Sequence, residues 1–499
     1  FRVIGPGFLS IRLWAAFLAI ISLGLLYRIT RRCDPHGWLF LILSVNSILV
    51  GYQRIAILES AVIPMTLLTM LLWLKARENT LRSHFLLDFS TGIAAAAVWL
   101  IKTTQLYFIP VVLLATFISE PSRKRAYKAM TGQLAGMGLP AILWFVFIRL
   151  PNERLLAQYN SFYMSQQGSH WMDFAANLVK QPAGLYFSAI PILFPAALIF
   201  AGNALLKGRF RLQAPVINFA LVWMVSGLVF FAPMGYRPLR YYLPLLIPIV
   251  ILGFRFLNRD AQLISGKIPR VLITLVMLGL VGVNLPLLID RYFTHGSLLG
   301  IPRVAGFQTL GPVLCLLSAL IFGICFVLES KPVAGFVRIL TVALVISLCF
   351  QTFTGVTRLI NRSYSVMDAS IWLKDNLPQN SVIAGQWAPQ LCLETKFRAV
   401  PLWKGFVNDK EPFRNYGITH IISWEYPLGN ELELQRSWYP EQMANAEKLK
   451  AFTIKESIVS LWSLNPGKEV SLPQSQVLRT TEHQDVPDQH YPATGSHDN

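Results

Sequence analysis

The sequence predicts a mainly α-helical bundle that crosses a membrane about twelve times and carries a small external α/β domain at its C-terminus. Of its 499 residues, 54% are hydrophobic and only 14% are charged, whereas a soluble domain carries about 25% charged residues. Apolar runs of bilayer-spanning length recur as far as Phe353 and then stop. These observations exclude a single soluble domain.

The net charge of +18 comes from 44 Lys and Arg against 26 Asp and Glu. In a chain this apolar, the excess favours cationic loops at an anionic membrane surface over a nucleic-acid partner, and the sequence contains no nucleic-acid-binding motif. The five cysteines include no CxxC pair, which excludes a disulfide framework and a cysteine-based metal site. No metal site is predicted. The sequence assigns no cofactor, and a divalent cation stays an open alternative.

Twelve runs of mostly apolar residues are predicted to form the spans, since a bilayer core of about 30 Å needs about 20 such residues per helix. Short basic or Pro-rich connectors separate the runs. The runs cover Phe8–Thr30, Gly37–Tyr52, Ala56–Leu74, Phe85–Ile101, Gln105–Ile118, Gly132–Leu150, Leu185–Leu206, Pro215–Ala232, Tyr241–Leu257, Val271–Ile289, Phe307–Leu328 and Ala334–Phe353.

The connectors carry unequal numbers of Lys and Arg when they are assigned alternately to the two sides of the membrane. The richer set is predicted to face the cytoplasm. Everything after Phe353 is then external. The minority of cations on the external side, among them Lys102 and Arg240, are costly at membrane depth and therefore indicate function.

After Phe353 the apolar runs give way to polar residues, turn formers and short strand-like runs. Apolar positions between Val366 and Leu377 mark one face of a helix that ends before Pro378. Strands are predicted over 381–384, 420–423 and 458–464. The predicted units are a membrane domain over 1–358, an external α/β domain over 359–465 and a disordered tail over 466–499.

The external segment GYQRIAILES places Arg54 and Glu59 between two spans. Two interpretations are open. In one, Arg54 reaches the head groups and Glu59 is solvated. In the other, Glu59 holds a metal, positions an acceptor or serves as a base at the mouth of a helix.

Lys102, in WLIKTTQLYF, is a lone external cation between two closely connected spans. It is either a lysine that reaches the head groups from a helical hairpin or an ammonium that binds the phosphate of an anionic lipid. The aromatic-rich loop from Pro151 to Gly184 predicts a helix lying in the membrane interface, or a surface that contacts substrate.

The segment PMGYRPLRYYLPLLIP, from Pro233 to Pro248, is the most specific external feature. Arg237 and Arg240 lie directly before a Pro-interrupted span that begins with Tyr241. An aromatic belt explains the tyrosine but not two arginines on this side of the membrane. Since Arg binds phosphate through two parallel hydrogen bonds, the segment favours phosphate binding.

These segments resemble the membrane glycosyltransferases of the GT-C superfamily, in particular families 39 and 83, which include protein mannosyltransferases and the aminoarabinose transferases of lipid A. RPLRYYLPLLIP matches their P-R-Y-x-L-P-x-x-P signature, and IAAAAVWLIKTTQLYFIP resembles their G-L-A-x-L-T-K pair of spans. QRIAILES resembles their second external loop. The segment that begins DASIWLKDNLPQ resembles the entry of their external α/β domain.

The resemblance implies transfer of a sugar from a polyprenyl-phosphate donor to a lipid, glycan or protein acceptor on the external face, with inversion at the anomeric carbon. It implies that Lys102, Arg240 and Tyr241 bind the carrier phosphate, with Arg237 as an additional candidate. Glu59 falls at a second acidic position of the family and is the catalytic candidate. The implied location is a bacterial inner membrane, with membrane lipids as neighbours and the C-terminal domain outside.

Two further expectations concern these residues. The main catalytic Asp of the family lies in a first external loop that has no counterpart after Phe1, so we expect the chain to lack one N-terminal helix and this carboxylate. We also expect Lys102 and Arg240 to lie at the external water boundary, where removal of either cation leaves no buried unpaired partner.

A transporter or flippase for a lipid-linked or anionic substrate is the alternative, since twelve spans are also typical of transporters. Transporters usually repeat one half of the chain in the other, and RPLRYYLP has no partner in the first half. An interaction or sensor protein built on the external domain is a third interpretation. It requires neither Lys102 nor Arg240.

Overall fold

The chain divides into two compact units, Phe1–Ser363 and Tyr364–Asn499, and each unit has its own hydrophobic core. The computed structural model describes residues 7–46, 49–50, 58–78, 85–153, 193–206, 214–234, 239–260, 364–404, 407–408, 411–426, 431–454 and 457–464, with a few isolated positions between 156 and 356.

The described part of the first unit is mainly helical, which confirms the prediction of a mainly α-helical protein. A 3-10 turn, Thr103–Gln105, joins two of its helices, and a 3-10 segment, Leu239–Leu245, leads into another. The helices are α1 Phe8–Thr30, α2 Trp38–Ser44, α3 Leu58–Glu78, α4 Phe85–Ile101, α5 Phe108–Ser119, α6 Arg123–Trp144, α7 Leu193–Leu206, α8 Pro215–Phe231 and α9 Leu246–Arg255.

Four of the described helical segments are long and apolar enough to cross a bilayer, namely Phe8–Thr30, Leu58–Glu78, Arg123–Arg149 and Arg240–Asn258. Four shorter apolar helices accompany them. The predicted spans over Val271–Ile289, Phe307–Leu328 and Ala334–Phe353 lie almost wholly outside the described residues, as does most of the aromatic loop after Pro151. The number of twelve spans therefore stays a prediction.

The boundaries of α1 and α4 agree with the predicted spans, but the second predicted span is interrupted. There α2 ends at Ser44, and the side chain of Asn46 accepts a hydrogen bond of 2.9 Å from the backbone N–H of Leu49. Asn is a strong N-cap residue because its side chain satisfies a free N–H at a helix start. The polar residue thus begins a new helical turn inside an apolar run.

One face of α1 exposes a continuous set of large apolar side chains. Leu13, Trp14, Phe17 and Ile20 are each at least half exposed. A patch of this size is unfavourable in water, whereas lipid tails solvate it well. The exposed face of α1 therefore supports a membrane location for this unit.

Small residues bring α4 and α6 into close contact. A Cβ atom added at Gly92 would overlap the backbone carbonyl of Gln133, and one added at Gly136 would overlap the carbonyl of Phe89. Gly132 and Gly136 form the small-xxx-small spacing that lets membrane helices approach backbone to backbone. The packing of α4 on α6 therefore depends on the absence of side chains at these positions.

A buried polar cluster joins α3, α4, α5 and α6 at one end of the bundle. Arg77 donates hydrogen bonds to Asp88 at 2.8 Å and to the hydroxyl of Thr116 at 3.1 Å. Gln133 donates to Asp88 at 3.1 Å, and the indole N–H of Trp73 donates to Thr116 at 2.8 Å. The sequence assigned Arg77 to a connector, but it is a buried helical residue whose charge is paired.

The second unit contains a five-stranded mixed sheet with strand order β2-β1-β3-β5-β4. β1 pairs in parallel with β2 and β3, while β5 pairs antiparallel with β3 and β4. The strands are β1 Val382–Ala384, β2 Arg398–Val400, β3 His420–Tyr426, β4 Glu447–Ile454 and β5 Ser457–Ser463. The helices are α10 Ser365–Asn376, α11 Ala388–Leu391, α12 Pro412–Tyr416, α13 Glu431–Trp438 and α14 Pro440–Ala444.

The predicted helix before Pro378 is α10, and the three predicted strands correspond to β1, β3 and β5. Two strands were missed. β2 has only three residues, and the first residue of β4, Glu447, is followed by exposed and half-exposed positions as far as Ala451. Both lie at the edges of the sheet, where charged side chains face water and remove the alternating apolar pattern.

Glu431 is a buried carboxylate of the second unit, with 5% of its surface exposed. It accepts hydrogen bonds from the backbone N–H of Trp424 and from the side chain of Gln435, each at 3.1 Å. Burial raises the pKa of Glu431 to about 7, and the hydrogen bonds oppose this shift only in part. In strand β3, burial lowers the pKa of His420 to about 4.

Gly136→Ala is expected to destabilise the protein by about 1 to 3 kcal/mol, because the new methyl group forces α4 and α6 apart. Gly138→Ala on the same helix is the matched control, since a Cβ there meets no atom within 4 Å. Thermal unfolding of the purified variants in detergent measures the difference. Equal stability of the two variants would show that the backbone contact is unimportant.

Glu431→Gln is expected to remove one contribution to the free energy of unfolding that depends on pH. Because the folded pKa is raised from 4.5 to about 7, the stability from this group is fully present below about pH 4.5 and is lost as the pH rises through 7. The unfolding free energy of wild type relative to the variant should therefore fall by up to about 3 kcal/mol over this range.

The measurement is urea unfolding of the full chain, followed by tryptophan fluorescence, at several pH values. Taking the difference between wild type and variant cancels the opposing contribution of His420, whose stabilising effect is lost as the pH falls below 6.5 towards 4. Glu433→Gln, an exposed change on the same helix, is the matched control. The prediction is wrong if the difference in unfolding free energy between wild type and Glu431→Gln varies with pH in the same way as the difference for the control.

Candidate functional site

The site begins where two antiparallel helices bring distant residues together. Glu59 lies in the first turn of α3, and Lys102 directly follows the last residue of α4. The backbone of Lys102 is extended and starts the 3-10 turn Thr103–Gln105. Since α3 and α4 pack along their lengths, the start of one helix meets the end of the other.

The Lys102 ammonium donates a hydrogen bond to Oε1 of Glu59. The two side chains are only 10% and 4% exposed. A buried charge needs a partner, because desolvation costs several kcal/mol per ion. The sequence left open that Glu59 is solvated and that Lys102 reaches the lipid head groups. Both interpretations are therefore wrong.

Arg240 approaches the same carboxylate oxygen from a third element. Its Nε lies 3.6 Å from Oε1 of Glu59, and its side chain is 45% exposed. Arg240 belongs to the 3-10 segment Leu239–Leu245, which contains Pro244. Pro lacks an N–H and cannot make the regular helical hydrogen bond. Oε1 of Glu59 therefore lies beside two cations: Lys102, which is buried, and Arg240, which is half exposed.

Tyr241 supplies an aromatic face to both cations. The centre of its ring lies 4.4 Å from Nζ of Lys102 and 5.8 Å from Cζ of Arg240, distances at which cations are attracted to an aromatic ring. Tyr241 is 6% exposed and stacks on Phe231 of α8. The ring therefore holds the cationic cluster against the core of the bundle.

Gln105 is a site residue that the sequence reasoning missed. Its side-chain N–H donates to the backbone carbonyl of Tyr241 at 3.4 Å, and it is fully buried. This hydrogen bond ties the turn after Lys102 to the segment that carries Arg240. The available signal was the polar run KTTQ between two apolar spans.

The structure therefore brings together four of the five predicted site residues: Glu59, Lys102, Arg240 and Tyr241. Arg237 lies outside the described residues, as does Arg54. The expectation that loss of Lys102 leaves no buried unpaired partner is wrong, because its partner Glu59 is buried. Among the described residues, no group of three or more His, Cys, Asp or Glu side chains is placed to hold a metal ion.

Residues 5–126 match the family model of dolichyl-phosphate-mannose-protein mannosyltransferases, a stretch that includes Glu59 and Lys102. A curated relative is undecaprenyl phosphate-alpha-4-amino-4-deoxy-L-arabinose arabinosyl transferase 2 of Pseudomonas fluorescens. It is 24% identical over 286 residues, which cover 54% of this chain and 46% of the relative. The chain therefore spans about half the length of the curated relative it matches.

Two solved structures resemble this chain at a lower sequence identity than the curated relative does. ArnT from Cupriavidus metallidurans bound to undecaprenyl phosphate has a TM-score of 0.48 and 12% identity, covering 90% of this chain and 83% of that one. The oligosaccharyltransferase of Archaeoglobus fulgidus in the apo form has a TM-score of 0.40 and 10% identity, covering 83% and 58%. TM-scores of this size do not by themselves establish a common fold.

The described apolar helices, four of them long enough to cross a bilayer, are the elements expected of a membrane protein. The matched family model and the curated relative are both named as sugar transferases. Both matches support the resemblance to the GT-C superfamily of glycosyltransferases that the sequence predicted.

Lys102→Met is expected to destabilise the protein by about 3 kcal/mol, because it leaves Glu59 buried with only the more distant Arg240 as its partner. The double variant Glu59→Gln/Lys102→Met should recover part of this loss. Unfolding of the purified proteins in detergent measures the pairwise term in a double-mutant cycle. Lys75→Met, at an exposed position of α3, is the matched control. Additive effects of the two site substitutions would contradict a buried ion pair.

Proposed function

We propose that this protein transfers a sugar from a polyprenyl-phosphate-linked donor to an acceptor on the external side of the membrane. The observation that carries the proposal is the convergence of Lys102 and Arg240 on one carboxylate beside Tyr241. Arg240 is half exposed, so an anion can reach the cluster from outside. Lys and Arg are the side chains that bind phosphate.

Each residue has a role in this proposal. Lys102 and Arg240 bind the phosphate of the donor and stabilise the negative charge that develops on it as the bond to the sugar breaks. The acceptor hydroxyl attacks the anomeric carbon from the opposite face, which inverts its configuration. Tyr241 orients both cations through its ring.

The contacts favour a positioning role for Glu59 over the role of proton acceptor, because its Oε1 already faces two cations. In this role Glu59 fixes the distance between Lys102 and Arg240. The hydroxyl proton then passes to a different base. Gln105 acts as a second positioning residue through its hydrogen bond to the backbone of Tyr241.

The distribution of Lys and Arg supports an orientation with this site and the second unit outside, in a bacterial inner membrane. The polyprenyl-phosphate sugar is the proposed donor, and a lipid, glycan or protein hydroxyl is the proposed acceptor. A transporter of the same lipids is less well supported, since the family model and the curated relative both describe transferases.

Arg240→Ala is expected to weaken binding of a polyprenyl-phosphate sugar by roughly tenfold to more than a hundredfold, since a charged contact contributes about 1.5 to 3 kcal/mol. The purified 499-residue protein in detergent is titrated with a radiolabelled donor lipid, and the bound label gives the affinity. Lys124→Ala, an exposed cation of α6, is the control. Wild-type affinity in Arg240→Ala would exclude the phosphate site.

A further inference from the structure

The exposed side of α6 changes in character along the helix. The other side packs on α4, where Gly136 lies against the backbone of Phe89. On the exposed side, cationic and aromatic residues come first and apolar residues follow. These residues are Arg123, Tyr127, Lys128, Leu134, Leu139 and Ile142. One side of α6 thus carries charge at its start and an apolar surface along the rest of its length.

The uncharged part of this helical segment has the length of a bilayer core. Between Lys128 and Arg149 the sequence contains no Lys, Arg, Asp or Glu. A helix rises 1.5 Å per residue, so the two cations lie about 30 Å apart along the axis. This distance is the thickness of the hydrocarbon core. The two cations therefore lie at opposite surfaces of the bilayer, and Lys128 lies at the level of the head groups.

Arg123 lies on an aromatic ring at this level. Its Cζ is 3.9 Å from the centre of the Phe117 ring of α5, and the ring centre of Tyr127 is 6.4 Å from that of Phe117. A cation over an aromatic ring is attracted to it, so the guanidinium is held in place before a ligand arrives. Arg123 and Tyr127 are nevertheless exposed. Arg binds phosphate through two parallel hydrogen bonds, and Tyr is enriched at the boundary between lipid and water.

This surface is remote from Lys102 and the site around it. Gly132 lies beside Phe85, the first residue of α4, and Trp144 contacts Trp99 near the end of α4. The two helices therefore run in the same direction. Because Lys102 follows the last residue of α4, the start of α6 lies at the opposite end of the bundle. The exposed start of α6 is thus separate from the site described above.

We infer that Arg123, Tyr127 and Lys128 form a binding surface for the head group of an anionic phospholipid in the leaflet at this end of the bundle. The phosphate lies between the Arg123 guanidinium and the Lys128 ammonium, and the ring of Tyr127 lies at the base of the head group. The acyl chains of the same lipid cover the apolar side chains that follow, beginning with Leu134, which is 51% exposed.

An anionic phospholipid matches both parts of this side of α6. A soluble phosphate ion would contact the cations but leave the apolar surface uncovered. A zwitterionic phospholipid would cover the apolar surface but bring its own cation towards Arg123 and Lys128. The head group of an anionic phospholipid lacks that cation. Each Lys or Arg near such a lipid surface contributes about fivefold in affinity.

The test measures binding of single phospholipids to the full 499-residue protein in a non-ionic detergent by native mass spectrometry. The probes are dioleoylphosphatidylglycerol, which is anionic, and dioleoylphosphatidylcholine, which has the same chains and is zwitterionic. Wild type should bind phosphatidylglycerol roughly 25-fold more tightly than phosphatidylcholine, since two cations contribute. Arg123→Gln/Lys128→Gln should bind the two lipids about equally, with its affinity for phosphatidylcholine unchanged.

The matched control is Arg28→Gln/Lys75→Gln, which removes two exposed cations from α1 and α3 at the same end of the bundle. The control should keep the preference for phosphatidylglycerol. An equal loss in the control would show a general attraction of the charged surface and would overturn the inference. Equal binding of the two lipids by wild type overturns it too, as does displacement of phosphatidylglycerol by inorganic phosphate at the same concentration.

Phe117→Leu removes the ring under Arg123 without removing a charge. It should weaken binding of phosphatidylglycerol by about two- to fivefold and leave binding of phosphatidylcholine unchanged. This variant decides if Arg123→Gln/Lys128→Gln does not fold, and an unchanged affinity for phosphatidylglycerol in Phe117→Leu then overturns the inference.

Discussion

Two buried ion pairs, one at each end of the antiparallel helices α3 and α4, are the constraint on which the first unit depends. Glu59 pairs with Lys102 at one end, and Arg77 pairs with Asp88 at the other. In an apolar environment each unpaired charge costs several kcal/mol. A helix rises 1.5 Å per residue, so sliding α3 along α4 by one residue strains both pairs at once. The pairs therefore fix the register of the two helices.

The fixed register positions the chemistry. With Glu59 held at the end of α4, its oxygen is placed to meet Arg240 from the 3-10 segment before α9. The ring of Tyr241 and the hydrogen bond from Gln105 connect that segment to the same turn. Three elements distant in sequence thus converge. Of the three described charged side chains of the cluster, Arg240 is the most exposed.

The residues that sequence reasoning found share a physical property: charge at a position where charge is costly. Lys102 and Arg240 were predicted for that reason, and the apolar runs gave α1 and α4 their boundaries. The pairing of Glu59 with Lys102 depends on how helices pack across 43 residues, which no local pattern contains. The burial of Arg77 was missed for the same reason. The edge strand β4 was missed because its solvent-facing charged residues mask the alternation of apolar and polar residues.

The two ion pairs have a consequence for how the chain enters the bilayer. Each pair joins α3 to α4, which are consecutive, so no later helix is required to neutralise them. Insertion of a lone helix with a charge near its end is costly, whereas this hairpin carries its countercharges with it. The α3–α4 hairpin can thus leave the translocation machinery with both buried charge pairs already formed. Later helices then pack against a scaffold whose register is already set.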